Sequence, residues 1–212
     1  MADIFDAPFE SKDIELSDNK VVKGEDVNLT AKDPTLTNIM VGIGWDLNAF
    51  DTDTLDLDVS CFLLNRDDKT RFDEDFIFYN NLQDRDEAVV HNGDNRTGAG
   101  DSDDETISID LNKVPFDIVK VVFILSIYKG EEKEQTIASL RNSYIRVLNS
   151  SNSEELLRYE ISEDIKEIND TAMFVASLNR EGPKWHFEAV GTCADGGLAQ
   201  VATDYDIIIH KG

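Results

Sequence analysis

Asp56-Leu57-Asp58-Val59-Ser60-Cys61-Phe62-Leu63-Leu64 places an apolar residue at every odd position from Leu57. A period of two is the mark of a β-strand, whose successive side chains point to opposite faces. The same pleat sends Asp56 and Asp58 out of one side, a single repeat apart. Asn38 to Trp45 follows the rule, with Ile39, Val41, Ile43 and Trp45 on one face and Gly42 and Gly44 on the other. Glycine at alternate strand positions marks a bulge or the close approach of other atoms.

The rest of the chain reads in short strands as well. Val27 to Thr30, Phe76 to Tyr79, Ala88 to His91, Thr106 to Leu111 and Ser143 to Leu148 fit the pattern, as do Glu155 to Ile161, Thr171 to Asn179 and Trp185 to Val190. Lys120 to Tyr128 is almost continuously apolar, which predicts a central strand buried on both faces. Hairpins are expected across Asn149 to Ser153 and Arg180 to Lys184. Thr136 to Arg141 reads as one or two helical turns, and Leu198, Val201, Ala202 and Tyr205 recur at helical spacing before a last strand, Ile207 to His210. Many strands, frequent turns and little helix predict an all-β, two-sheet antiparallel β-sandwich with one or two short helices. Residues 1–13 read as a flexible acidic extension, and 14–212 as a single domain.

Charge narrows the function classes. The 212 residues carry 44 acids against 20 Lys and Arg, a formal net charge of −24. Nucleic acid is an unfavourable partner, because its binding runs on basic groups that neutralise phosphates. Contact with an anionic membrane is expected only if indirect or bridged by calcium. Met1 to Lys20 lacks the basic and apolar regions of a signal peptide, and no apolar run approaches the roughly 18 residues of a membrane span. Two widely separated thiols, Cys61 and Cys193, fit a reducing compartment, so the expected location is cytoplasmic.

The acids are clustered. His91 to Glu105 holds glycines at 93, 98 and 100 among carboxylates at 94, 101, 103, 104 and 105. Two like charges about 4 Å apart cost on the order of 4 kcal/mol at an effective dielectric near 20. Such a loop either stays splayed in water or gathers around a cation. Calcium takes six to eight oxygens in irregular geometry, and Asp56, Asp58, Asp94, Asn95, Gly100 (through its carbonyl), Asp101, Asp103, Asp104 and Glu105 are the candidate ligands, enough for two ions.

Standard motifs do not fit. Asp94 to Glu105 has the length of an EF-hand loop, but Arg96 and Gly98 stand where oxygen ligands belong. Magnesium would want stricter geometry. Zinc is disfavoured because His91, His186 and His210 are scattered, and His91 reads as an exposed hairpin-end residue. A glycosidase-like pair at Asp56 and Asp58 is the thin enzymatic alternative. No nucleophile elbow or phosphate loop is present, so the chain is expected not to be an enzyme.

Several motifs in order carry a resemblance: Val41-Gly42-Ile43-Gly44-Trp45-Asp46, Asp56-Leu57-Asp58-Val59-Ser60, Phe78-Tyr79-Asn80-Asn81, Gly93-Asp94-Asn95-Arg96-Thr97-Gly98 and Asp103-Asp104-Glu105. Ser126-Ile127-Tyr128, Arg141 to Val147 and Arg158-Tyr159-Glu160 continue it. From about Ile14 to Ile209 the chain resembles the TerD family of tellurite-resistance and stress proteins. The resemblance implies a calcium-binding sandwich with protein partners in a stress-response assembly, and its acidic ligand regions fall on Asp56, Asp58 and Asp94 to Glu105. Ser102 departs from a position where Gly is common, and the N-terminal extension is longer than usual. A calcium-dependent membrane module and a binder of a cyclic nucleotide or other small ligand are the alternatives.

Overall fold

The computed structural model describes residues 19–46, 55–93, 103–166 and 168–209. In chain order the elements are β1 (Lys20–Val21), β2 (Asp26–Asn28), α1 (Leu29–Lys32), β3 (Asn38–Asp46), β4 (Leu57–Leu64), β5 (Phe76–Ile77) and β6 (Val89–His91). They continue as β7 (Glu105–Asp110), β8 (Lys120–Ile127), β9 (Arg141–Asn149), β10 (Glu154–Glu160), β11 (Ala172–Glu181), β12 (Lys184–Cys193) and α2 (Gly197–Asp204). Two six-stranded sheets result. Sheet A runs β1-β10-β9-β3-β7-β6 and sheet B runs β2-β12-β11-β8-β4-β5. All pairs are antiparallel except the short β1–β10 pair, which is parallel. The predicted all-β sandwich is the observed architecture.

The alternation read from the sequence decides which residues meet between the sheets. Ile39, Val41, Ile43 and Trp45 of β3 face Leu57, Val59, Cys61 and Leu63 of β4 within one core, together with Phe123, Leu125, Ile145 and Val147. Fully burying each large side chain contributes roughly 1.5–3 kcal/mol. The other faces of β4 and β8 are covered too. Phe62, Leu64, Val122 and Ile124 form a second cluster with Phe76, Val201, Ala202 and Ile207. That explains why every residue of β4 is buried. It also explains why α2, eight residues long and too short to persist alone, holds its place on the outer face of sheet B.

Three expectations are corrected. The strand foreseen over Val27 to Thr30 stops at Asn28, whose side-chain oxygen accepts from the Ala31 amide at 2.8 Å and starts α1, burying Leu29. Residues 207–209 form no strand, and His210 lies outside the described residues. The helical stretch after Thr136 is a single 3-10 turn, Ile137–Ser139. The acidic extension expected at 1–13 lies outside the described residues. No helix among the described residues is long and apolar enough to cross a membrane.

Candidate metal centre

Glu105 opens β7 in the inward row that continues with Ile107 and Ile109. Its carboxylate therefore enters the gap between the sheets at one end of the sandwich. There β4 has an incomplete edge. Its residues pair with β8 throughout, but β5 covers only Cys61 and Phe62. Val59 turns its backbone to the uncovered side, where unpaired groups would cost about 1–3 kcal/mol each. Side chains from sheet A fill the place of the missing strand. Glu105 Oε2 accepts from the Val59 amide at 2.7 Å, and His91 Nε2 lies 3.2 Å from the Val59 carbonyl. The Gly93 amide donates to His91 Nδ1 at 3.2 Å. A neutral ring carrying its proton on Nε2 satisfies both contacts. His91 is thus a buried clamp, not the exposed residue expected, because β6 faces the open edge of β4.

Asp104 serves the adjoining strand. Its amide donates to the Ile43 carbonyl at 2.8 Å. Its Oδ2 accepts at 2.8 Å from the amide of Trp45, beyond the last rung of the β3–β7 ladder. Burial raises the Asp104 carboxyl above its ordinary value, the Trp45 hydrogen bond opposes that, and the charges of Asp103 and Asp46 add to it. These acids crowd one another electrostatically. Asp46 was not among the ligands expected from the sequence, and the β3–β7 pairing is what brings it to Asp104.

Asp103 points elsewhere, over the outer face of sheet A. Arg146 donates from Nε to Oδ1 at 2.8 Å and from a terminal nitrogen to Oδ2 at 3.0 Å, and the Tyr144 hydroxyl donates to Oδ1 at 2.9 Å. Burial, followed by Asp103, pushes the Tyr144 hydroxyl up to about 12. The two glycines of β3 now have their reason: a Cβ on Gly42 would collide with the Asp103 carboxylate, and one on Gly44 would stand 2.5 Å from the Tyr144 ring.

Asp58 leaves β4 on the outer face of sheet B, opposite Ser126 of β8. Burial is the main cause that raises the Tyr79 hydroxyl, with the charges of Asp58, Tyr128 and Asp56 adding to it. The Asp56 carbonyl accepts from the Tyr128 amide at 2.8 Å.

The Glu105–Val59 contact therefore ties the Asp58 strand and the 103–105 segment to one end of the molecule. Asp104 and Asp46 are gathered there, while Asp103 and Asp58 diverge to opposite outer faces. Asp94, Asn95, Gly100 and Asp101 lie outside the described residues. The donors are all oxygen and crowded, which suits a hard divalent cation such as calcium better than zinc.

Two buried acids elsewhere hold the protein's own groups. Asp75 is bound through both oxygens by Arg71, and Asp84 accepts from the amides of Asp86, Ala88 and Val89. A group the sequence reading missed is Asp170, Cys193 and Asp195, whose candidate donor atoms lie within 4.8 Å of one another. Burial, then hydrogen bonding and charge from Asp195 and Asp170, pushes the Cys193 thiol up to about 11.

Compared with known families, residues 18–205 match the TerD domain. The chain belongs to the TerD family. It is 43% identical over 185 residues to tellurium resistance protein TerD of an Alcaligenes species, which covers 87% of this chain and 95% of that relative. General stress protein 16U of Bacillus subtilis (strain 168) is 41% identical, covering 88% and 96%. Among solved structures, a homologue of telluride resistance protein (TerD) from Streptomyces coelicolor A3(2) superposes with a TM-score of 0.63 at 19% identity, covering 79% of this chain and 95% of that one. That last likeness concerns the TerD fold alone.

Proposed function

We propose that this TerD-family chain is a calcium-binding, non-enzymatic stress-response protein of the cytoplasm, whose acidic end takes one or two calcium ions and thereby orders a surface for protein partners. The observation that carries the reading is the Glu105–Val59 hydrogen bond, which ties two acidic segments 46 residues apart to one corner. Asp104 and Glu105 would hold one ion with Asp94, Asn95, Asp101 and the Gly100 carbonyl, and Asp56 and Asp58, on the outer face of sheet B, would serve a second. Asp103, occupied by Arg146 and Tyr144, would hold the segment in position. Bound calcium supplies charge neutralisation there. The relatives' names, resistance and stress-response proteins, support the biological class.

The test is thermal melting of metal-stripped protein with and without calcium. A ligand that binds only the folded form at about 100 times its Kd adds about 2.7 kcal/mol, or about 5–11 °C for a chain of this size. Asp58→Asn combined with Asp104→Asn should remove the increase. An unmoved wild-type melting temperature at millimolar calcium would overturn the proposal.

A further inference from the structure

The hairpin of β11 and β12 sets a histidine among acids on the outer face of sheet B, far in sequence from the acidic loops. Trp185 and Phe187 of β12 turn into the core, so strand alternation turns His186, between them, outward. Its cross-strand partner on β11 is Asn179, and Glu181 stands two residues further along the same strand. On the other side, β2 places Asn28 opposite His186 and Asp26 opposite Glu188. Asp26, Glu181 and His186 therefore meet from three strands. A histidine that stands alone in the sequence acquires two acidic neighbours only through this pairing.

The imidazole is held in one orientation. Its Nδ1 lies 2.7 Å from Asp26 Oδ1, so the neutral ring carries its proton on Nδ1 and donates it to that carboxylate. The lone pair is then on Nε2. That atom is buried without a hydrogen-bond partner and faces Glu181 Oε2 at 3.7 Å. A buried acceptor without a donor costs about 1–3 kcal/mol, unless a cation takes its lone pair.

The arrangement matches the chemistry of a ligating histidine. Such a histidine donates its other ring N–H to a carboxylate, which fixes the tautomer and raises the basicity of the free nitrogen. Zinc holds imidazole nitrogen and carboxylate oxygen at about 2.0–2.2 Å, so one ion reaches both atoms across the 3.7 Å gap. Nitrogen also selects the metal, because imidazole suits zinc, copper and nickel, whereas calcium and magnesium take oxygen. Asn179 Nδ2 donates to Ser177 Oγ at 3.0 Å and Glu188 Oε2 at 3.2 Å, so its amide oxygen is the group left to serve as a third donor.

We infer that His186 Nε2 and Glu181, with the Asn179 oxygen and water, bind a divalent transition-metal ion of the zinc class, and that Asp26 is the positioning residue that orients the imidazole. The site shares no residue with the calcium reading and does not rest on it.

The experiment is calorimetric titration of the metal-stripped full chain with zinc chloride in excess calcium, with the His186 ring signals followed by NMR. Zinc should bind and shift those signals. His186→Asn and Glu181→Gln should each weaken the site at least tenfold. Asp26→Asn, which touches only Nδ1, should weaken it by about 10–100-fold, an effect that a merely structural surface pair would not produce. Cys193→Ala, which removes the thiol of the Asp170, Cys193 and Asp195 group, should leave the His186 response unchanged. Absence of zinc binding at millimolar concentration, zinc that leaves the His186 signals in place, or a folded His186→Asn protein with the affinity and stoichiometry of wild type would overturn the inference.

Discussion

Glu105→Ala tests how the acidic corner is built. Glu105 is 2% exposed and accepts from the Val59 amide at 2.7 Å. A hydrogen bond to a charged group contributes about 1.5–3 kcal/mol, and its removal strands a buried N–H at a similar cost. Relief from burying the carboxylate offsets part of the loss. A net destabilisation of about 2–3 kcal/mol is expected, a fall of about 4–12 °C in melting temperature at this chain length. Glu105→Gln keeps an acceptor of the same shape and should lose less than half as much. Melting is measured in chelator, so that metal affinity does not enter, and amide hydrogen exchange should show Val59 losing protection specifically. If Glu105→Ala melts within about 1 °C of wild type with Val59 still protected, the two sheets are not joined there as argued.

Asp104 has a raised folded-state pKa, so its contribution to stability is full below the unfolded value and is lost as pH rises through the folded one. Asp104→Asn keeps an oxygen for the Trp45 amide, and in chelator it should be the more stable protein at pH 7. Denaturant titrations at several pH values should show that advantage vanishing in acid; a constant difference would refute the assignment. Arg71→Ala leaves Asp75, fully buried, without its bidentate partner and should cost about 3–5 kcal/mol by urea unfolding. Gly44→Ala drives a Cβ against the ring carbons and hydroxyl of Tyr144, and a loss of about 1–3 kcal/mol by urea unfolding is expected.

The sequence by itself determined the strands, because burial between the sheets imposes a period of two that β7 carries throughout and that β3 and β4 show in the apolar odd positions Ile39 to Trp45 and Leu57 to Leu63. The near-continuous apolar run of β8 made its central position legible, and the glycines at 42 and 44 announced close contact. The crowding of acids was equally plain. Tertiary structure alone decided where each carboxylate went. Asp103, Asp104 and Glu105 are neighbours in the chain yet face the outside of one sheet, the end of a strand and the interior, since alternation sets a side chain's face and not its opposite number. His91 became a clamp because β5 is too short to cover Val59, a vacancy visible only once both sheets are in place.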